Sequence, residues 1–343
     1  MRQAYLFTML AVLAWTTGPL GSKAALLGTG SGPGLTPLQV AFWAIGVGWV
    51  ALLATLLASR RLGRLAGISG RGWLVLVAMG LCGWFGYPVA MNFAYTRLPL
   101  ADALVISYVN PVFVTIFQAA AFGRVVRLLS GWEQPPDKAA RANPLLVALG
   151  LLLCLLGVAV TATGGRLGAL GGLHLGAGAL SALFAAFAWG VYSNLGRFVT
   201  MRSGRSPRGL GDVQNFAAMT AGLLAMGACL ARAGLLGSPG GYQVPMYLAS
   251  WGPTLVPVLA VIAIMGIVNY AVGYPLWMHA LELGTHAGGA HRLPPLNYLL
   301  LVNSMLLGWL VLHQPVGHGF WQGTALILAG NVATLWPVRD IPV

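Results

Sequence analysis

Ten runs of mostly apolar residues, each long enough to cross a lipid bilayer, are the feature of this sequence that most limits its fold. A hydrocarbon core of about 30 Å requires roughly 20 consecutive apolar residues in a helix. The runs cover residues 4–27, 36–58, 73–95, 100–122, 144–164, 174–199, 212–233, 255–280, 286–312 and 319–337. Only 7% of the residues are charged and the mean hydropathy is +0.79, which excludes a water-soluble fold. We therefore predict an all-α polytopic membrane protein with ten transmembrane helices.

Basic residues are concentrated on one side of this topology. Most of the 19 lysines and arginines precede the first run, follow the last, or lie in the loops after runs two, four and six: Arg2, Arg60, Arg61, Arg64, Arg71, Arg124, Arg127, Lys138, Arg141, Arg202, Arg205, Arg208 and Arg339. The positive-inside rule therefore predicts cytoplasmic N- and C-termini, in what we take to be a bacterial inner membrane. This distribution accounts for the net charge of +13 without nucleic acid as a partner.

Three cysteines, Cys82, Cys154 and Cys229, lie within apolar runs. Their odd number and their spacing offer neither a disulfide framework nor a CxxC metal site. We expect no metal and no cofactor, and we interpret the cysteines as packing residues.

The sequence reads as two similar halves. The matched pairs are Trp15 with Trp189, Lys23 with Arg197, GYPVAMNFA (Gly86–Ala94) with GYPLWMHA (Gly273–Ala280), Pro111 with Pro295, and Leu156-Gly157-Val158 with Ala329-Gly330-Asn331. Runs two and seven show no match. Because five helices are an odd number, the second copy must enter the membrane from the opposite side. This predicts two inverted five-helix repeats, residues 1–165 and 166–343, within one membrane domain, a construction common in secondary transporters.

Three stretches resemble EamA-type members of the drug/metabolite transporter superfamily. They are GALSALFAAFAWGVYSNLGR (Gly178–Arg197), FAYTRLPLADALVISYVNPVF (Phe93–Phe113) and FWQGTALILAG (Phe320–Gly330). The resemblance implies ten helices around a central cavity lined mainly by helices three, four, eight and nine, with helices five and ten outside it. The chain departs from the family where a glutamate is frequent, having Gly123-Arg124 after helix four and His313-Gln314-Pro315 after helix nine.

Aromatic, amide and basic side chains within the runs are the candidates for substrate binding. We predict this role for Trp15, Trp84, Tyr87, Asn92, Tyr108, Asn110, Trp189, Tyr192, Asn269, Tyr274, His291, Arg292 and Tyr298. The alternatives are packing or an interfacial belt for the aromatic residues and interhelical ties for the asparagines.

The stretch HAGGAHRLPPLNY contributes the two ionisable candidates, His291 and Arg292. If Arg292 faces the cavity, its guanidinium can hold a substrate carboxylate by two parallel hydrogen bonds. If helix nine begins at Pro294, both side chains instead lie at the cytoplasmic interface. The sequence leaves both arrangements open.

Prolines interrupt the four runs that the resemblance puts around the cavity. They are Pro88, Pro111, Pro275, Pro294 and Pro295. A proline removes a backbone donor and bends its helix, which either gives a gate its flexibility or is a kink that neighbouring helices tolerate. Their symmetric placement favours gating.

These observations favour a secondary transporter that exports small organic metabolites such as amino acids by alternating access. A nucleotide-sugar or other metabolite carrier on the same fold is the alternative, although it would favour more buried bases than Arg197 and Arg292. A membrane enzyme using His291 is a weaker hypothesis, since HExxH and GxSxG motifs are absent. The expected partners are a small-molecule substrate and membrane lipid. Coupling to protons or a counter-substrate and formation of a homodimer stay open.

Overall fold

The computed structural model describes residues 2–27, 35–119, 144–165, 176–203, 210–235, 255–286, 293, 296, 298–313 and 319–335, and the regular structure in these ranges is helical. The helices are α1 (Arg2–Leu27), α2 (Pro37–Ala58), α3 (Gly70–Arg97), α4 (Leu100–Ser107), α5 (Asn110–Ala119), α6 (Pro144–Ala162), α7 (Ala177–Ser203), α8 (Leu210–Leu235), α9 (Leu255–Ile264, Met265–Gly273 and Tyr274–His286), α10 (Tyr298–Leu312) and α11 (Phe320–Leu335). A short 3-10 helix, Leu62–Gly67, lies between α2 and α3.

Six of the described helices are long and apolar enough to cross a membrane. These spans are Arg2–Leu27, Pro37–Ala58, Gly70–Arg97, Ala177–Gly196, Asp212–Ala233 and Val256–Ala280, and the shorter apolar helices are Leu100–Val114 and Ala148–Thr161. Large apolar side chains lie on the outer surface, among them Leu145, Leu224 and Val256. Lipid can cover such side chains, whereas water would disfavour them. The prediction of an all-helical membrane protein is confirmed, and the count of ten spans stays a prediction.

Two of these helices contain a π-helical segment in their middle. The segments are Gly80–Gly86 in α3 and Met265–Gly273 in α9, and each ends directly before a Tyr-Pro pair. Pro88 and Pro275 have no backbone N–H, so the preceding turn cannot keep its usual hydrogen bonds. In α3 the N–H of Tyr87 instead bonds the carbonyl of Cys82, five residues earlier. The α-helical hydrogen-bond pattern is therefore interrupted just before the two prolines that the repeat pairs with each other.

Run four is interrupted as well. A turn at Tyr108 and Val109 separates α4 from α5, which restarts at Asn110. Pro111 is the second residue of α5, a position where its missing N–H costs no helical hydrogen bond. The sequence predicted that Pro111 interrupts run four, and the structure has an interruption there, at the turn that precedes Asn110.

Close packing between helices occurs twice in the same form. Helix α2 packs against α9, where Gly266 and Tyr270 are met by Ala44, Val47 and Gly48. Helix α8 packs against α3 through residues at the same spacing, where Gly80 and Trp84 are met by Ala218, Ala221 and Gly222. A Cβ added to Gly48 would lie 2.6 Å from the Cβ of Tyr270, and one added to Gly222 would lie 2.5 Å from the Cβ of Trp84. Both contacts hold a π segment against a neighbouring helix.

Helices α6 and α11 pack against each other through glycines. A Cβ on Gly157 would lie 2.7 Å from the carbonyl oxygen of Gly323, and one on Gly330 would lie 2.5 Å from that of Gly150. Gly165 approaches Gly319, so the two helices run antiparallel. Helices α2 and α8 are antiparallel too, because Trp49 stacks on Phe216 at 5.3 Å while Phe42, nearer the start of α2, lies beside Gly227. Small residues let helix backbones approach closely inside a membrane.

Candidate functional site

Eight aromatic side chains from four helices form one connected group, which we call the aromatic cluster. Its members are Trp15 of α1, Trp84 and Tyr87 of α3, Trp189 and Tyr192 of α7, and Tyr270, Tyr274 and Trp277 of α9. The ring of Tyr274 is central: its centroid lies 4.7 Å from that of Trp84, 5.2 Å from that of Trp15 and 6.5 Å from that of Trp189.

The paired sequence motifs position the cluster. The tyrosine of each Gly-Tyr-Pro follows a π segment, and each meets the tryptophan of an Ala-Trp pair from the other half of the sequence. Tyr274 contacts Trp15 at 5.2 Å, and Tyr87 contacts Trp189 at 4.9 Å. Six predicted binding residues therefore meet in one place: Trp15, Trp84, Tyr87, Trp189, Tyr192 and Tyr274.

The remaining predicted amides and aromatic residues have different surroundings. The side chain of Asn92 is buried and donates to the carbonyl of Pro37 at 3.1 Å, so Asn92 ties α3 to α2. Asn269 is buried beside Gly18, at the edge of the cluster. Tyr108 packs in the apolar core around α4, and Asn110 is half-buried at the start of α5.

The basic stretch before α10 lies outside the described residues. His291, Arg292, Pro294 and Pro295 belong to it, and the side chains of Pro111 and Tyr298 are likewise outside the description, although Tyr298 begins α10. The roles predicted for these residues stay predictions.

Two members of the aromatic cluster are absent from the predicted binding residues. Tyr270 and Trp277 precede and follow Tyr274 by about one helical turn, which puts the three side chains on one face of α9. That spacing is a signal in the sequence, but it is also typical of ordinary core packing, so only the contacts distinguish the two.

The indole N–H groups of two cluster residues have no hydrogen-bond partner among the described residues. They belong to Trp15 and Trp84, whose side chains are 7% and 1% exposed. By contrast, the indole of Trp49 donates to the hydroxyl of Thr220 at 2.8 Å. A buried donor without an acceptor costs about 1–3 kcal/mol. Both unpaired donors belong to rings that touch Tyr274.

A buried lysine joins α1 to the end of α3. Lys23 is 7% exposed, and its ammonium donates to the carbonyls of Tyr95 and Leu98, the latter at 3.1 Å. A cation at the last turn of a helix satisfies free carbonyls and the helix dipole. The sequence marked Lys23 only as the repeat partner of Arg197, whose side chain lies outside the description.

Apolar helices long enough to span a membrane, packed around a cluster of buried aromatic rings, define an integral membrane protein. Comparisons with known proteins agree with this class. Residues 2–131 match the model of the EamA-like transporter family. The permease-like protein YdzE of Bacillus subtilis (strain 168) is 39% identical over 67 residues, which cover 19% of this chain and 80% of that protein.

A crystal structure of another protein shares the fold, with a TM-score of 0.55 and 22% sequence identity over 97% of this chain and 96% of that chain. The chain belongs to the EamA-like transporter family. It is therefore a transporter of the drug/metabolite type, as the sequence motifs indicated.

Proposed function

We propose that the protein is a secondary transporter that exports small organic metabolites, such as amino acids, across a bacterial inner membrane by alternating access. The observation that carries the proposal is the repeated contact of a glycine with a π segment, Gly48 against α9 and Gly222 against α3. Two equivalent contacts of this kind can exchange their conformations. Such an exchange is how inverted repeats expose a central site to each side of the membrane in turn.

The same contacts support ten helices arranged as two inverted repeats, residues 1–165 and 166–343. Helices α2 and α8 correspond by the spacing of their packing residues, and α6 and α11 by the match of Gly157 with Gly330. Each of these pairs runs antiparallel, as equivalent helices of an inverted repeat must. Most basic residues lie in the termini and in the loops after runs two, four and six, which are all on one side of the membrane, and this supports cytoplasmic termini.

The composition of the aromatic cluster supports an amino acid as the substrate. Aromatic faces attract an ammonium group and also pack against an apolar side chain. We propose that Arg292 binds the carboxylate at one point of its passage, before or after the aromatic cluster, and that His291 and Tyr298 line the same pathway. In this proposal Pro88, Pro111, Pro275, Pro294 and Pro295 give the gating helices their bends. A nucleotide-sugar carrier is the alternative, and the eight aromatic side chains of the cluster supply no positive charge that could pair with its diphosphate.

Counterflow in proteoliposomes tests the proposal. Vesicles are loaded with each common amino acid, a nucleoside, UDP-glucose or a cationic dye, and uptake of the labelled compound is measured with and without a pH gradient. We expect counterflow for a subset of amino acids, its loss in Tyr274→Ala, and retention in Trp49→Phe, which lies outside the cluster. Counterflow of UDP-glucose alone would favour the alternative carrier, and stimulation by the gradient would identify proton coupling.

A further inference from the structure

We propose that Trp15 and Trp84 form a subsite in which their indole N–H groups bind the carboxylate oxygens of the transported molecule. The proposal rests on the transport function above and names the chemistry that its substrate must carry. Both indole rings contact the ring of Tyr274, at 5.2 Å and 4.7 Å between centroids, and the Trp15 nitrogen lies against α9 at Gly273, so it becomes accessible when α9 moves in the transport cycle.

The first step is the hydrogen-bonding capacity of the two side chains. An indole N–H only donates, so it cannot be satisfied by the N–H groups of a helix. The two nitrogen atoms are buried and have no acceptor in the described part of the chain. A transporter passes through more than one conformation, and a donor that is unpaired in one of them is satisfied in another if the ligand supplies the acceptor.

The second step is the charge of the surroundings. The other members of the aromatic cluster are tyrosines and tryptophans, and the nitrogen of Lys23 is already bonded to the carbonyls of Tyr95 and Leu98. Two neutral donors suit one carboxylate but give no counter-charge to a diphosphate. A zwitterion fits better, because its ammonium can lie against the aromatic faces while its carboxylate accepts from the indoles.

Ring contacts offer a purely structural account of the same donors. The ring planes of Trp15 and Tyr274 meet at 62°, and those of Trp84 and Tyr192 at 86°, so an N–H could point at an aromatic face. Such contacts are weak. They predict that removing the N–H changes the stability of the protein and leaves the preference for carboxylates unchanged.

The test compares ligands with and without a carboxylate. The purified protein is titrated calorimetrically with each amino acid that shows counterflow and with the amine and the alcohol that share its side chain. Trp15→Phe and Trp84→Phe are compared with Trp49→Phe, whose indole is paired with Thr220. We expect Kd for the amino acid to rise about tenfold per lost donor, little change in Kd for the amine, and wild-type values in the control.

A second replacement removes the donor without changing the shape of the ring. Site-specific incorporation of 3-benzothienylalanine at position 15 or 84 substitutes sulfur for the N–H, so it keeps the packing that phenylalanine disturbs. The same tenfold loss is expected. Unchanged affinity for amino acids in these proteins, with counterflow intact, would overturn the subsite and leave the transport function standing. Absence of counterflow for every carboxylate-bearing compound would overturn both.

Discussion

The contact between α1 and α9 and the contact between α7 and α3 are built on the same pair of residues. In the first, Trp15 meets Tyr274 at 5.2 Å, and in the second, Trp189 meets Tyr87 at 4.9 Å. One turn further along, the two contacts differ. Gly18 of α1 faces Asn269 of α9, whereas the equivalent position of α7 carries Tyr192, which faces Gly83 of α3.

This difference shows which helix contacts are repeated in the two proposed halves. Contacts without space for a side chain, such as those of Gly48 and Gly222, occur in both proposed repeats because they set the distance between backbones. At the first contact a side chain of α9, Asn269, fills the space beside Gly18, whereas at the second a side chain of α7, Tyr192, fills the space beside Gly83. The aromatic cluster is therefore not symmetric at its two edges, although the helices around it share the same packing residues.

The largest loss of stability is expected at the glycine contacts that occur in both proposed repeats. Gly48→Ala and Gly222→Ala each push a methyl group against a Cβ and a backbone carbonyl, which cannot move independently of their helices. We expect each to destabilise the protein by about 3 kcal/mol, seen as loss of the monodisperse peak in size-exclusion chromatography. Gly46→Ala is the control, since its nearest atom would be 4.0 Å away. Tolerance of one variant alone would break the equivalence.

A smaller and unequal effect is expected where the regions differ. Gly83→Ala would collide with the ring of Tyr192, whereas Gly18→Ala would meet the end of the Asn269 side chain at 2.6 Å. An amide at the end of a side chain can rotate away, and a packed ring cannot. We expect a loss of about 2 kcal/mol for Gly83→Ala and under about 1 kcal/mol for Gly18→Ala, measured by thermal unfolding. Because Tyr192→Ala removes the ring that Gly83→Ala strikes, the double variant should lose less stability than the sum of the two single variants.

Lys23 and Arg197 extend the comparison to the helix ends. Lys23→Met removes the donor that bonds the carbonyls of Tyr95 and Leu98, so the last turn of α3 should fray. We expect hydrogen exchange over residues 94–98 to become severalfold faster, with α2 unaffected as an internal reference. Arg197→Met should produce the same change at the end of α9 if the two bases are equivalent. Unchanged exchange in α9 would restrict this tie to the first half.

The smallest effect concerns the position that follows the two Gly-Tyr-Pro motifs. Asn92→Leu deletes the hydrogen bond to Pro37 and should cost about 1 kcal/mol. The equivalent His279 is exposed on α9, and its ring meets that of Phe7 edge-on at 4.8 Å between centroids. Because substitutions of exposed side chains usually change stability by less than about 0.5 kcal/mol, His279→Leu should shift the unfolding temperature by less than Asn92→Leu does. Equal shifts would mean that His279 makes a tie of similar strength.

The sequence could predict the features that depend directly on which residues occur and how they are spaced. The lengths of the apolar runs predicted the helices, and the recurring Gly-Tyr-Pro and Ala-Trp motifs contain four of the eight aromatic residues of the cluster: Trp15, Tyr87, Trp189 and Tyr274. The sequence did not reveal the similarity of runs two and seven, because that similarity consists of three small or branched residues at the same spacing, and such residues are common in every apolar run. The sequence did not predict the π segments, because a π-helical turn differs from an α-helical turn by one residue and has no characteristic amino-acid composition. The sequence could not predict that Asn92 ties α3 to α2, because the carbonyl that accepts its hydrogen bond belongs to Pro37, which is distant in sequence.

The glycine packing of α6 on α11 also bears on the order in which the protein is made. A nascent chain enters the membrane N-terminus first, so α6 is inserted long before α11 has been synthesised. During that interval Gly157 and its neighbours have only lipid or the insertion machinery to cover them. The glycine face of α6 is therefore covered by protein only once α11 has been synthesised and inserted.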